Sequence, residues 1–188
     1  LNSSFLVEII KKHKISILYL PVTLIRLMRA TFGEFRIKNK SLKAIGSMGE
    51  PLAKDVADWF SNKFTKNKLS VVNTYFQTET GGIISSPKFN DKPVKDYNGT
   101  VGKPINNFIK IKLDKKENEI MLTQPWPGSL KGVINGKSFF NKYWDKNGYF
   151  RMFDLGKFDK NKNLIVLGRN DDVINVRGHR IGSGQIES

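Results

Sequence analysis

Apolar residues in the first third of the chain switch between helical and strand spacing. Phe5, Leu6, Ile9 and Ile10 recur at helical intervals up to Lys14, and Ile15 to Leu20 is a short apolar run ended by Pro21, the pattern of a buried strand. Leu24, Ile25, Leu27 and Met28 predict a second helix, and Ser41 to Ile45 predict a second strand running into the turn-rich Gly46-Ser47-Met48-Gly49-Glu50-Pro51. Leu52, Val56, Trp59, Phe60 and Phe64 fall along one helical stripe. A third strand over Leu69 to Thr74 then meets the polar loop Gln77-Thr78-Glu79-Thr80-Gly81-Gly82. This alternation predicts an α/β sheet layer over residues 1–98, with two strands ending in loops of the kind where open α/β sheets gather ligands.

Beyond a Pro-, Gly-, Asn- and Asp-rich connection from Lys88 to Lys103, the period shortens. Ile109-Lys110-Ile111-Lys112-Leu113 alternates, Asp114 to Asn118 makes a turn, and Glu119-Ile120-Met121-Leu122 returns as a strand. Asp145-Lys146-Asn147-Gly148 and Asp159 to Asn163 are further turns, the latter before a strand at Leu164 to Leu167. Residues 99–170 therefore read as a β-rich subdomain, and no internal repeat interrupts the chain.

Composition removes whole classes of chemistry. The 188 residues contain no cysteine, so disulfide scaffolds, thiol nucleophiles and thiolate metal sites are excluded. Two histidines, His13 and His179, are too few for a His-rich metal centre. A hydrophobic content of 39% supplies a core and argues against wholesale disorder. Lys and Arg number 32 against 17 Asp and Glu, a formal charge of +15. A nucleic-acid face needs clustered charge to neutralise adjacent phosphates, whereas these lysines are scattered singly, so no nucleic-acid partner is expected; a basic binding module without catalysis is the remote alternative. The apolar run Ile15 to Ile25 is shorter than the roughly 18 residues of a membrane span and contains Pro21, so no membrane partner is expected. The chain opens on Leu1 and closes on Gln185-Ile186-Glu187-Ser188, and both ends read as cuts through a longer protein.

Four segments carry more than composition: Gly49-Glu50-Pro51; Thr74-Tyr75-Phe76-Gln77-Thr78-Glu79-Thr80-Gly81-Gly82; Pro125-Trp126-Pro127-Gly128; and Gly168-Arg169-Asn170-Asp171-Asp172-Val173-Ile174-Asn175-Val176-Arg177-Gly178-His179-Arg180-Ile181. Any one of them is an unremarkable string, but in this order they closely resemble the AMP-forming acyl-CoA synthetases, with the acetyl-CoA synthetase branch nearest. The resemblance runs from about residue 5 to Ser188. It implies the later part of a large adenylate-forming domain, an α/β layer followed by a β-rich subdomain, with residues 171–188 as the hinge and start of a small C-terminal domain. It also implies a cytoplasmic enzyme that uses ATP, magnesium and coenzyme A to convert a short carboxylate to its thioester through an acyl-adenylate. The sequence does not indicate an oligomeric state.

Site roles carry over residue by residue. Gly49, Glu50 and Pro51 match the adenine-side segment, where a small residue lets backbone approach the ring. Asn73, Thr74, Tyr75, Phe76 and Gln77 match the strand end lining adenine and the acyl pocket; Asn73 stands where an aspartate is usual. Phe76 replaces the tryptophan that shortens that pocket, which favours acetate or propionate, with plain core packing as the other reading. Thr78 and Glu79 match a phosphate-binding hydroxyl and a magnesium-binding carboxylate, chemistry suited to a hard cation bridging phosphates. Asp154 matches the carboxylate that takes both ribose hydroxyls, although Met152-Phe153 replaces the usual Thr-Gly before it. Arg169 and Arg180 match arginines on ribose and phosphate, Asp171 the hinge, and Gly178 a close approach of pantetheine. Arg177 occupies a position usually held by a small residue near coenzyme A, where it could hold a phosphate or obstruct.

Two of the family's parts lie outside this stretch. The phosphate-binding loop with its lysine precedes it, since Gly81-Gly82-Ile83-Ile84-Ser85-Ser86-Pro87-Lys88 lacks the threonine-glycine pattern. The lysine that catalyses adenylation falls beyond Ser188. The isolated chain is therefore expected to be inactive, and the alternatives for its parent are a propionate-preferring or broader ligase or a decayed copy.

Overall fold

The computed structural model describes residues 3–32, 40–65, 69–88, 99–170, 173–176 and 179–182. They divide between two compact units, Leu1–Thr74 with Pro87–Gly99, and Tyr75–Ser86 with Thr100–Ser188.

In the first unit, helices α1 (Ser3–Lys12), α2 (Val22–Phe32) and α3 (Lys54–Phe64) alternate with strands β1 (Ile17–Pro21), β2 (Ala44–Met48) and β3 (Val71–Asn73). The strands form a parallel sheet in the order β1-β2-β3. Leu18 and Leu20 of β1, Ile45 of β2 and Val71 of β3 share one core with Val7, Ile10, Val22, Ile25, Met28, Val56, Phe60 and Phe64 from the helices. The predicted stripe of α3 is the face that packs, with Phe60 and Phe64 sealed from solvent and meeting edge to face at 5.1 Å. The α1 stripe is rotated from its prediction: Val7 and Ile10 enter the core while Phe5 is exposed.

The second strand lies three residues later than its spacing suggested. Its ladder with β1 begins at Ile17↔Ala44 and continues through Tyr19↔Gly46 and Leu20↔Ser47. Gly46 is therefore a strand residue, not a turn. A Cβ there would fall 2.8 Å from the Tyr19 ring and 3.0 Å from the Val72 carbonyl oxygen, so close strand and side-chain approach requires glycine. The turn itself falls at Gly49, whose φ is +95°.

The second unit is built on a four-stranded antiparallel sheet, β6 (Ile111–Leu113), β7 (Glu119–Leu122), β8 (Phe150–Phe158) and β9 (Leu164–Arg169), in that order. Two short strands, β4 (Ser85–Ser86) and β5 (Lys103–Pro104), pair beside it, and β10 (Val173–Val176) pairs antiparallel with β11 (His179–Gly182). The three predicted turns are each tied by an aspartate. Asp114 accepts the N–H groups of Lys116 and Glu117, Asp145 those of Asn147 and Tyr149, and Asp159 those of Asn161 and Asn163, all within 2.8–2.9 Å. Tyr75, Ile84, Val101, Ile120, Leu122, Tyr143, Phe150 and Met152 belong to the core. A short helix, α4 (Lys137–Lys142), precedes β8 and has no counterpart in the sequence reading.

Candidate functional site

Strand β8 carries Asp154 into a nearly closed environment, with 6% of the residue exposed. Asp154 Oδ2 accepts the Tyr75 phenol at 2.6 Å and the Gln77 side-chain amide at 2.5 Å. The same Gln77 nitrogen also donates to the Met152 carbonyl at 2.7 Å. On the other side, Arg169 Nη1 stands 3.9 Å from Asp154 Oδ1 with its guanidinium half in solvent. Burial pushes the Tyr75 phenol well above the usual tyrosine range, and the neighbouring Asp154 carboxylate pushes it the same way. Tyr75 is thus a fixed neutral donor to an ionisable carboxylate.

The backbone that presents Asp154 is irregular. Phe153 has φ +53°, the left-handed region that bulky residues avoid. Its N–H points at Glu119 Oε1 at 3.3 Å and its carbonyl accepts the Asn170 N–H at 2.8 Å. Glu119, 3% exposed, is held by Arg151 through two bonds, Nε to Oε1 at 3.0 Å and Nη2 to Oε2 at 2.7 Å. That carboxylate raises the Arg151 guanidinium further above its ordinary range. Arg151 also lies over the Phe153 ring at 4.7 Å. The departure noted at Met152-Phe153 is accommodated in this way: Met152 fills the core, and Phe153 takes a glycine-like conformation secured by ring and carboxylate contacts.

Glu79 lies in the same unit, in a 3₁₀ turn over Thr78–Thr80. The Gln77 N–H donates to Thr80 Oγ1 at 3.0 Å, and Gly81 leaves the turn at φ +65°. A Cβ on Gly81 would fall 2.2 Å from the Gly128 carbonyl, so the Pro125-Trp126-Pro127-Gly128 segment packs directly on this turn. The Leu130 N–H closes it by donating to the Glu79 carbonyl at 2.8 Å. The Tyr143 phenol donates to Glu79 Oε1 at 2.8 Å, and burial followed by the Glu79 carboxylate holds its proton on, pushing its pKa above the usual tyrosine value. Thr78 is exposed and Phe76 half-buried. Among the described residues, no three His, Cys, Asp or Glu side chains group as a metal site. A lone half-buried carboxylate of this kind fits a magnesium ion held chiefly by phosphate oxygens and water, and does not fit an ion held by protein alone.

In the first unit, Ser47 Oγ donates to Asn73 Oδ1 at 3.1 Å, and Thr74 donates through N–H and Oγ1 to the Ser47 carbonyl at 3.0 and 3.2 Å. The Tyr19 phenol bonds the Thr74 hydroxyl. Ser47 and Asn73 are sealed, so this part of the predicted site is an internal polar network tying the ends of β2 and β3. Glu50 Oε2 lies 3.6 Å from Arg26 Nη1, while Glu50 Oε1 is buried with no hydrogen-bond partner among the described residues. Pro51, beside it, is half-buried.

Asp171, Arg177 and Gly178 lie outside the described residues. Arg180 sits in β11 opposite Asn175. Sequence reasoning missed Tyr143, Glu119 and Arg151. For Tyr143 a signal existed, since Phe140, Tyr143 and Trp144 stand at i, i+3 and i+4 in an aromatic cluster. Among the described residues no helix is long and apolar enough to cross a membrane.

The family model described as AMP-binding enzyme matches residues 1–144. Acetyl-coenzyme A synthetase 1 of Candida glabrata is 33% identical over 196 residues, covering 96% of this chain and 28% of that protein. Acetyl-coenzyme A synthetase of Rhodopirellula baltica is 33% identical over 193 residues, with 96% and 28% covered. This chain thus spans under a third of the length of these curated relatives. Among solved structures, unliganded O-succinylbenzoate coenzyme A synthetase of Bacillus subtilis superposes with a TM-score of 0.71 at 23% identity, over 100% of this chain and 40% of that one. At that identity the likeness speaks for the fold.

Proposed function

The chain belongs to the AMP-binding enzyme family, and on that premise we propose that it forms part of an AMP-forming acid–thiol ligase acting on a short carboxylate. The reaction is acetate, ATP and coenzyme A to acetyl-CoA, AMP and diphosphate, with an acyl-adenylate between its two halves. Residues 171–188 are then the hinge and the start of a further domain, and the cytoplasm is the compartment we assign from the family resemblance. The observation that carries this reading is the arrangement inside the second unit: Asp154 oriented by Tyr75 and Gln77, Arg169 beside it, and Glu79 on the turn that follows Gln77.

The chemistry follows from these groups. A carboxylate whose Oδ2 is fixed by two donors is oriented to accept sugar hydroxyls through its remaining acceptor capacity, or through Oδ2 if Gln77 swings away. Arg169, half in water, supplies a cationic fork for the same sugar or its phosphate. Thr78, exposed beside Glu79, offers a hydroxyl to a phosphate oxygen. Glu79 would hold magnesium, which when bound offsets the phosphate charge during displacement of diphosphate. Phe76 bounds the acyl pocket, and propionate is the second substrate this reading admits.

Acetate-dependent exchange of labelled diphosphate into ATP, measured on the full-length gene product that contains these residues, tests the reading. Exchange is expected, with Asp154→Ala raising the KM for ATP by about 10- to 100-fold, the worth of a hydrogen bond to a charged group. Absence of exchange with any short carboxylate would sink it. The 188-residue stretch by itself is expected to give none.

A further inference from the structure

Resting on the reading of Glu79 as the cation-binding carboxylate, we propose that Tyr143 is its positioning residue: the phenol engages Oε1 and leaves Oε2 as the oxygen that would be offered to a cation. The geometry is unusually constrained for a residue so distant in sequence. Tyr143 is 7% exposed. Its ring stacks on Phe150 at 5.4 Å with 14° between planes and meets Phe153 edge-on at 5.4 Å and 78°. Its N–H donates to the Phe140 carbonyl at 3.1 Å and its own carbonyl accepts the Arg151 N–H at 2.7 Å. Rings on two sides and backbone bonds at both ends leave the hydroxyl one place to be, and there it donates to Glu79 Oε1 at 2.8 Å.

The other end of Glu79 is equally fixed. Its carbonyl accepts the Leu130 N–H at 2.8 Å, and the Gly128 backbone lies where a side chain on Gly81 would be. With its backbone and one oxygen both held, the carboxylate has lost most of its rotation. Magnesium demands near-octahedral geometry, keeps several waters and takes carboxylates one oxygen at a time. A phenol on Oε1 favours that one-oxygen mode over a chelating one. It also removes in advance the entropy of ordering a long side chain, which is how an outer partner tunes a metal ligand. Oriented by Pro125-Trp126-Pro127-Gly128 on one side and Tyr143 on the other, Glu79 is a prepared ligand.

The test uses Mn²⁺ as probe, with free ion counted by electron paramagnetic resonance in the presence of a non-hydrolysable ATP analogue and the full-length protein. Tyr143→Phe is expected to raise the Mn²⁺ Kd about tenfold, to leave metal-free AMP binding unchanged, and to have no further effect in a Glu79→Gln background. Phe150→Leu, which keeps the phenol but removes the ring stacked on it, is expected to give a smaller loss in the same direction and serves should Tyr143→Phe fail to fold. If Glu79→Gln weakens Mn²⁺ binding while Tyr143→Phe and Phe150→Leu do not, the inference is overturned and the reading of Glu79 stands. Equal weakening of Mn²⁺ and metal-free AMP by Tyr143→Phe would assign Tyr143 a merely structural role and overturn it too. If Glu79→Gln itself leaves Mn²⁺ binding unchanged, the reading of Glu79 falls and this inference with it.

Discussion

Tyr75 and Asp154, 79 residues apart in sequence, share a 2.6 Å hydrogen bond in the interior of the second unit, the phenol giving its proton to Oδ2. Burial and the carboxylate both oppose loss of that proton, so the phenol ionises well above its ordinary range in the folded chain. The unfolded chain gives it up near pH 10. Between those two values the unfolded state binds fewer protons than the folded one, and stability falls as pH rises; below pH 10 the contribution is fully present. Denaturant unfolding followed upward from pH 9 should therefore give parallel curves for the natural sequence and Tyr75→Phe below pH 10, and above it a steeper decline in the natural sequence, by a difference that approaches about 1.4 kcal/mol per pH unit. Curves that stay parallel above pH 10 would mean that Tyr75 ionises as freely in the fold as outside it.

Glu119 and Arg151 form the most enclosed ion pair among the described residues, with 4% and 35% of their side chains exposed. Removing the arginine alone strands a buried carboxylate beside the left-handed Phe153 of β8. Arg151→Met is expected to cost about 3 kcal/mol, the low end for breaking a buried pair, because a third of the arginine already meets water. Glu119→Leu combined with Arg151→Met should cost much less than the two single changes summed. Additive losses in thermal unfolding would contradict the pairing.

Phe153 separates backbone strain from side-chain packing. At φ +53° a residue with a Cβ carries a cost of about 1–2 kcal/mol that glycine escapes. Phe153→Ala and Phe153→Gly both lose the contacts to Tyr143 and Arg151, so their difference reads the backbone alone. The glycine variant should be the more stable by about 1 kcal/mol. A more stable alanine variant would show that the backbone relaxes out of this conformation.

Much of this architecture is legible from spacing. The stripe from Leu52 to Phe64 names the packed face of α3, and Asp114, Asp145 and Asp159 mark the turns they tie, because helix faces and Asx turns depend on residues close in sequence. Gly46, Phe153 and Tyr143 are different. Gly46 looks like a turn glycine until Tyr19 and the Val72 carbonyl are known to crowd it. The residues around Phe153 do not themselves announce a left-handed conformation; the only hint is the glycine usual at that place in the resemblance, and what secures it is Glu119 on the neighbouring strand and Asn170 after the next. The candidate site divides along the same line. Asp154, Arg169 and Glu79 were named by motif, whereas Tyr143 and Glu119, which orient them or their backbone, act only through the fold. Asn73 shows the reverse, a motif position that the fold uses for its own internal bonding.

Phe76 tests the substrate side. Tyr75 and Gln77 both reach Asp154, and Gln77 is extended at φ −129° and ψ 163°, so alternation along the chain turns Phe76 away from that carboxylate. Half-buried and excluded from the Asp154 cluster, its ring is free to bound a separate pocket. If that pocket holds the acyl chain, Phe76→Trp shortens it by more than a methylene. One methylene in an apolar pocket is worth about 1–3 kcal/mol, so kcat/KM for propionate should fall about tenfold or more relative to acetate. The measurement is the ratio of the two in the full-length protein, which cancels any general loss of folding or nucleotide binding. A ratio unchanged by the larger ring would remove Phe76 from the acyl pocket and leave it as packing for the segment that carries Tyr75 and Gln77.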